Sequence, residues 1–433
     1  MLDIKFIEEN KEEVKRAVKV KGLDVDIDLL LELNDKRKDL LKEIEDLRAK
    51  RNQNVENVKK EDVSKRNEFI EEGKKIKEKL RKIEEEHREV EGKFQELMLT
   101  VPNVPSEDTP IGKNDEDNKE IKKWGSVPEF KFPIKSHVEL SEKLDLIDFK
   151  AGAKTSGFRG YYLKNEAVLL HFGILWYALN KLIEKGFTPF LPPTLVNEFA
   201  LVGSGHFPFD KDEVYQLTNP GKLETGEEIT NPKYLVGTAE PPLLAYYVDK
   251  VLKEEEMPIK SCGISQCYRS EVGSYGKDVK GIYRIHEFMK VEQIIICKAD
   301  IEESNKHLED MRGMSEEILQ ELKLPYRVLG ICTGDMGAGK YKMYDIETWM
   351  PARNSYGETH SDSNLTSWQT RRLNIKYVNK GGEKEYAFAL NNTAIASPRI
   401  LIAIMENYQQ EDGSIVIPEV LRPYLGGKEV IRR

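Results

Sequence analysis

The sequence predicts an α+β protein: an antiparallel β-sheet flanked by helices, preceded by an arm of two antiparallel coiled-coil helices. Three observations carry that prediction. The first hundred residues mix about 25 Lys+Arg with 27 Asp+Glu and hold no proline, as long exposed helices do. The stretch Val101-Pro-Asn-Val-Pro-Ser-Glu-Asp-Thr-Pro110 then interrupts the chain. Beyond about Lys135 the β-rich runs are bounded by turns instead of crossover helices, which favours antiparallel pairing over a doubly wound parallel sheet.

The arm comes first. Phe69, Gly73, Ile76, Leu80, Ile83, His87, Val90, Phe94 and Leu97 recur at alternating steps of four and three, which is a coiled-coil seam. Leu33, Arg37, Leu40, Ile44, Leu47 and Arg51 repeat it more weakly upstream, and the polar segment Asn52-Gln-Asn-Val-Glu-Asn57 is expected to turn the chain back. The arm would span about residues 27–98; roughly 30 residues per helix at 1.5 Å each make it on the order of 45 Å long. A dimerisation hairpin, a solvated spacer and a ligand-reaching arm all share this pattern. The prolines that follow remove donors and bias each preceding residue to extended backbone, so the helix ends there. The boundary between an N-terminal domain (1–110) and a C-terminal one (111–433) is placed accordingly.

In the second domain, residues 166–185 read as an amphipathic helix, followed by the extended stretch Gly186-Phe-Thr-Pro-Phe-Leu-Pro-Pro193. Strands are expected in 261–270, 282–297, 341–350, 373–378 and 386–391.

Composition narrows the function classes. The chain has 433 residues, with 76 Asp+Glu against 67 Lys+Arg and a net charge of −9. That argues against a protein that coats nucleic acid non-specifically but leaves room for a local basic face. No run approaches the roughly 18 to 20 uncharged apolar residues of a membrane helix, so no span is expected. The N-terminus shows no apolar signal core, and a cytoplasmic location is the default expectation. Cys262, Cys267, Cys297 and Cys332 form no CxxC pair, so reduced structural thiols are expected over metal ligands.

Three clusters could carry chemistry. Ser261-Cys-Gly-Ile-Ser-Gln-Cys-Tyr-Arg-Ser-Glu271 reads as a strand whose period of two puts Arg269 and Glu271 on one face. A loop with Gly273, Gly276 and Gly281 follows. Then Arg284, His286, Phe288, Lys290 and Glu292 alternate onto one face, a set suited to a triphosphate, a purine ring and an ammonium group. A solvated, salt-bridged hairpin would show the same alternation. In the second cluster, Glu358 and Ser361 of Gly357-Glu-Thr-His-Ser361 offer hard oxygens suited to magnesium, or a merely solvated loop. In the third, Leu390-Asn-Asn-Thr-Ala-Ile-Ala-Ser-Pro-Arg-Ile400, Ser397 could cap a helix that Pro398 opens. Arg399 would then sit in the first turn, where a cation is disfavoured unless an anion is bound.

Together, Tyr268-Arg-Ser-Glu271, the segment to Phe288 and Glu292, and Asn391 to Arg399 resemble motifs 2 and 3 of the class II aminoacyl-tRNA synthetases. In detail the chain is similar to the seryl-tRNA synthetase family, through Gly237-Thr-Ala-Glu240, Cys332-Thr-Gly-Asp335, Tyr344-Asp-Ile-Glu347, Met405-Glu-Asn-Tyr-Gln-Gln-Glu-Asp-Gly413 and Pro418-Glu-Val-Leu-Arg-Pro423. The resemblance covers essentially the whole chain, the hairpin included. It implies a class II antiparallel-sheet catalytic domain and an ATP-dependent serine–tRNA ligase. Such an enzyme makes seryl-adenylate and transfers serine to the 3′ end of tRNA(Ser), with tRNA(Sec) as an expected second acceptor.

What the resemblance implies can be given residue by residue. Arg269 and Arg399 would be catalytic, on the α- and γ-phosphates. Ser270, Glu271, Phe288, Glu358, Thr359, His360 and Ser361 would complete the ATP site, with Phe288 stacked on adenine. Glu358 and Ser361 would hold Mg2+. Thr238, Ala239, Glu240, Glu292 and Thr393, with Arg269, would line the serine pocket, the groups for ammonium and hydroxyl being interchangeable at this stage. Pro193 would close motif 1 of a homodimer. The hairpin would grip the long variable arm of tRNA(Ser), through cations such as Arg37, Arg48, Lys50 and Arg51 or past them. Only about 20 residues follow Gly413, too few for the C-terminal anticodon-binding domain of related synthetases. Gly357, His360, and Thr393 with Pro398 depart from the commonest family pattern and bear on pocket detail. Two other readings stand beside this one: a relative that loads an amino acid on a carrier protein, and a non-catalytic tRNA-binding regulator. The long arm counts against the first, and the retained buried charges count against the second.

Overall fold

The seam expected in the first hundred residues is the packed face of two long helices, α1 (Ile27–Lys60) and α2 (Val63–Thr100), in the computed structural model. The structure describes residues 1–60, 63–219, 221–272 and 280–433. Leu40, Ile44 and Leu47 of α1 meet Leu80, Ile83 and Val90 of α2 in one buried cluster. At 1.5 Å per residue, each helix is about 50 Å long. Charge pairs run along the flanks: Lys36–Glu86 at 2.8 Å, Arg48–Glu84 at 2.7 Å and Lys79–Glu43 at 2.7 Å. Arg37, a cation in a seam position, lies over the Phe94 ring at 4.2 Å and pairs with Glu91 at 3.1 Å. Two short helices, Ile4–Glu9 and Lys11–Val20, precede the arm.

The asparagine-rich segment is helical, which corrects the expectation that it forms the turn. Asn54 is buried and donates to Glu72 Oε2 at 3.1 Å, so its amide is satisfied across the coil in place of breaking the helix. The connection between the two helices lies at residues outside the described ones, as do Gly273 and Gly276.

The chain divides into two compact units, residues 1–102 and 103–433. Among the described residues, the second unit is built on an eight-stranded sheet. Its strands are β1 (Lys119–Trp124), β2 (Thr188–Phe190), β3 (Ile259–Tyr268), β4 (Glu287–Cys297), β5 (Tyr326–Gly330), β6 (Lys342–Met350), β7 (Ser355–Asn364) and β8 (Phe388–Ala396). They lie in the order β1-β5-β6-β7-β8-β4-β3-β2. Every neighbouring pair is antiparallel except β2 with β3, as the turn-bounded runs led one to expect. Helices α3 (His137–Leu144), α4 (Glu166–Glu184), α5 (Glu240–Ala245), α6 (Ile301–Glu321) and α7 (Ser397–Asn407) flank it.

Helix α4 is long and apolar enough to cross a membrane by length and composition, which the sequence reading had not anticipated, but 56% of that stretch is buried in the unit. Leu170, Ile174, Ala178 and Leu182 face the core, while Leu169, Phe172, Trp176 and Ile183 are exposed on another side. Its hydropathy thus comes from two apolar faces, one of them uncovered in the single chain. All four cysteines are free and buried.

Candidate active site

Two β-bulges decide which side chains share the catalytic face. In the β6–β7 pair, Glu347 lies opposite Glu358 and Ile346 opposite His360, so Thr359 is the extra residue. Without it, Glu358 and Ser361, three apart, would point to opposite faces; with it, both project on the side of Asp345 and Glu347. In the β8–β4 pair, Ala394 is the extra residue between Thr393, opposite Glu292, and Ile395, opposite Val291. Glu292, Lys290 and Phe288 alternate along β4 onto the same side.

These strands line a cavity of about 60 Å³ that is partly open to solvent. Arg269, Glu271, Phe288, Glu358, Thr359, His360 and Arg399, which the sequence reading assigned to an ATP site, line it with Thr393, which it assigned to the serine pocket, and with Tyr283 and Lys290, which it had not assigned; Ser361 does not line it. Arg269 lies 5.5 Å from the Phe288 ring and donates through Nε to the Gly237 carbonyl at 3.3 Å. Arg399 Nη1 donates to Glu358 twice, to the carboxylate at 3.0 Å and to the carbonyl at 2.9 Å. Burial opposes both charges. The pairing nonetheless holds the Glu358 carboxyl below its usual range and the Arg399 guanidinium above its own. The Arg399 guanidinium also stacks on the Tyr283 ring at 4.6 Å.

Several local expectations are corrected. The strand carrying Phe288 starts at Glu287, so Arg284 and His286 do not alternate with it. Arg284 pairs with Glu271 at 3.3 Å, and His286 Nδ1 meets the Arg269 carbonyl at 3.0 Å. Strand β3 stops at Tyr268, and Glu271 has φ 55°, a left-handed conformation that turns its carboxylate back to the cavity. Ser397 is no cap: Ala396 precedes the helix, and Ser397 Oγ bonds His171 Nδ1 at 2.5 Å. Ser270 donates to the Asp212 carbonyl at 2.5 Å, outside the cavity lining.

Four of the residues expected for a serine pocket, Thr238, Glu240, Glu292 and Thr393, form one buried network, joined where the Glu240 N–H donates to Thr238 Oγ1 at 3.4 Å. Glu292 Oε2 accepts from Thr238 Oγ1 at 3.1 Å and from Thr393 Oγ1 at 3.5 Å, and it pairs with Lys290 at 2.5 Å. Glu240 Oε1 accepts from Gln369 at 2.5 Å and Asn391 at 2.8 Å. Ala239 is fully buried in the apolar cluster under α5 and does not line the cavity. Lys290, Gln369 and Asn391 are the partners sequence spacing missed. Lys290 alone carried a signal, as a cation on an inward strand position.

Among the described residues, no three His, Cys, Asp or Glu side chains form a closed metal cage. Glu358 and Ser361 nonetheless share a face with Asp345, whose Oδ1 is buried without a hydrogen-bond partner. One carboxylate with a hydroxyl and an unsatisfied acid suits magnesium, which takes few protein ligands and completes its shell with water and phosphate.

The chain matches the model of the seryl-tRNA synthetase N-terminal domain over residues 1–105 and that of the tRNA synthetase class II core domain (G, H, P, S and T) over 222–408. It is 44% identical over 431 residues to the serine–tRNA ligase of Deinococcus radiodurans, covering 100% of this chain and 99% of that one. The chain belongs to the seryl-tRNA synthetase family. Among solved seryl-tRNA synthetases, that of Pyrococcus horikoshii complexed with ATP superposes with a TM-score of 0.86 at 37% identity, over 100% of this chain and 99% of that one. The cytoplasmic serine–tRNA ligase of Naegleria fowleri in complex with AMP gives 0.85 at 31%, over the same shares. The class II sheet of this family is therefore the scaffold on which the Arg269, Glu358 and Arg399 cluster is mounted.

Proposed function

We propose that the chain is a serine–tRNA ligase: it activates L-serine with ATP, releases pyrophosphate, and transfers serine from seryl-adenylate to the 3′ end of tRNA(Ser). The observation that carries the reading is the adjacency of two differently built sites. A cationic, aromatic cavity holds Arg269, Phe288 and Arg399, and a small buried network centred on Glu292 adjoins it through Lys290 and Thr393. The first has the groups for a nucleoside triphosphate, the second those for a small hydroxy-amino acid.

In activation, a serine carboxylate oxygen attacks the α-phosphorus in line, and the bond to the β-phosphate oxygen breaks. The carboxylate is already ionised near neutral pH, so no protein nucleophile or base is required. Arg269 orients the α-phosphate, Arg399 holds the γ-phosphate, and Phe288 offers its face to adenine; the rate comes from alignment and from charge neutralised in the transition state. Glu358 and Ser361 would hold Mg2+, whose chemistry is to neutralise the phosphate oxygens and the departing pyrophosphate. Glu292 accepts from the serine ammonium or hydroxyl, exchanging a Thr238 or Thr393 bond for one to substrate. Alanine would leave such buried groups unsatisfied, which is how the site rejects it, while threonine is rejected by bulk.

The arm is the tRNA-binding element in this reading. Arg37 and Arg48 are engaged by Glu91 and Glu84, which leaves the exposed Lys50 and Arg51 as the better phosphate partners of the four cations considered. The uncovered face of α4 supports a homodimer, and cytoplasmic location and charging of tRNA(Sec) complete the proposal. ATP–pyrophosphate exchange tests activation: the reading requires exchange dependent on serine and on magnesium, and exchange with threonine or alanine at a comparable rate would refute it.

A further inference from the structure

We infer that His137 is a positioning residue for the phosphate-binding Arg399, acting through the Ile282 N–H that its ring accepts, with a buried contact to Glu406 orienting that ring. This rests on the reading of Arg399 as an ATP ligand.

Glu406 stands seven residues after Arg399 in α7, two turns along and on the same face, and is 1% exposed. Its carboxylate is held from three sides. Oε1 accepts from the His137 backbone N–H at 3.0 Å and from Nδ1 at 2.9 Å, and Oε2 accepts from the Ala352 N–H at 3.0 Å. With Nδ1–H committed to a carboxylate, the imidazole keeps its lone pair on Nε2, and that atom accepts the Ile282 N–H at 3.3 Å. Gly281 has φ +86°, and a Cβ there would lie 2.0 Å from His137 Nε2, so the backbone passes the ring where no side chain fits.

Both segments held in this way support Arg399. Ile282 precedes Tyr283, whose ring carries the Arg399 guanidinium at 4.6 Å and whose carbonyl accepts from Arg399 Nε at 3.4 Å. Ala352 precedes Arg353, which stacks on the same ring at 4.3 Å. Gly357, one of the departures from the commonest family pattern, packs there too: a Cβ at that position would lie 3.0 Å from Tyr283 Oη and from Met350 Sδ. His137 and Glu406 do not line the cavity. They set where Tyr283 stands, and Tyr283 sets the guanidinium.

Two variants separate positioning from folding. His137→Asn keeps a donor near the Nδ1 position but leaves Ile282 N–H without an acceptor, whereas His137→Gln carries an amide oxygen to about the Nε2 position. In serine-dependent exchange, His137→Asn should raise the KM for ATP at least about tenfold and leave that for serine within about twofold, and His137→Gln should recover most of the loss. An unchanged KM for ATP, or parallel rises for both substrates with a lowered Tm in both variants, would overturn the role. Should His137→Asn not fold, Gly281→Ala drives a methyl group against the same nitrogen and is judged by the same split. A wild-type chain without exchange would instead overturn the proposed function, and this role with it.

Discussion

Arg399 and Glu358 are bonded to each other at 3.0 Å, so the cation proposed for phosphate and the carboxylate proposed for a divalent ion compensate one another in the free chain. Arg399 is 18% exposed and Glu358 45%, so the pairing offsets a desolvation cost that falls mainly on Arg399. On the proposed reading, ATP and magnesium would let each group exchange its partner for a ligand of that partner's sign. Glu358→Gln should therefore lower the exchange rate by about two orders of magnitude and shift half-maximal activity to higher magnesium. A magnesium titration of the variant checks this; an unshifted midpoint would remove Glu358 from the metal site.

Glu292 is the hub of the small pocket, bonded by Thr238, Thr393 and Lys290. Replacing it by alanine would leave Lys290, Thr238 and Thr393 without an acceptor and open a void, so the amide, which keeps an acceptor oxygen and the volume, is the cleaner probe. Glu292→Gln should raise the KM for serine at least about tenfold with that for ATP nearly unchanged, because only serine loses a charged partner. Equal losses for both substrates in steady-state exchange would assign Glu292 to the architecture of the sheet instead.

Stability should fall in mild acid. Burial lowers the His171 pKa to about 4 from the ordinary 6.5, and its ring bonds Ser397 at the start of the helix that carries Arg399. Below pH 6.5 the unfolded chain takes up a proton that the folded chain refuses. This contribution is therefore complete above pH 6.5, is lost as pH falls towards 4, and levels off beneath that. It amounts to on the order of 3 kcal/mol across that window. Urea unfolding between pH 7.5 and 4 should show the slope in the wild type and a shallower one in His171→Asn; identical slopes would exclude His171 as its source.

The exposed face of α4 holds Leu169, Phe172, Trp176 and Ile183 at helical spacing. Trp176→Arg at the middle of that stripe should dissociate a homodimer, halving the mass seen in sedimentation. Unaltered mass would place the dimer contact elsewhere.

Much of this was legible in the sequence, and the misses share a cause. The coiled-coil seam could be read because its period repeats over nine positions, from Phe69 to Leu97. Arg269, Phe288, Glu358 and Arg399 could be grouped because the segments that carry them resemble class II synthetase motifs; residue types alone left a solvated hairpin or loop open. Periodicity could not see the two bulges, at Thr359 and Ala394, and these bring Glu358 beside Ser361 and Thr393 beside Glu292. Strict alternation likewise put Glu271 on a strand that ends before it, and Arg284 and His286 on one that begins after them. Asn54 looked like a turn residue because local propensity does not register a partner 18 positions away. Tyr283 and Glu406 were assigned no role, although Glu406 falls in one of the segments that carried the resemblance, since what they do lies in what the fold stacks against them.

The central claim is that this chain joins serine to tRNA. Incubating the purified protein with ATP, magnesium, total tRNA and labelled serine, with alanine and threonine as controls, tests it most directly. The account predicts label in the tRNA fraction from serine alone. Serine-dependent exchange without any label reaching tRNA would contradict it, and would turn attention to a carrier protein as the acceptor.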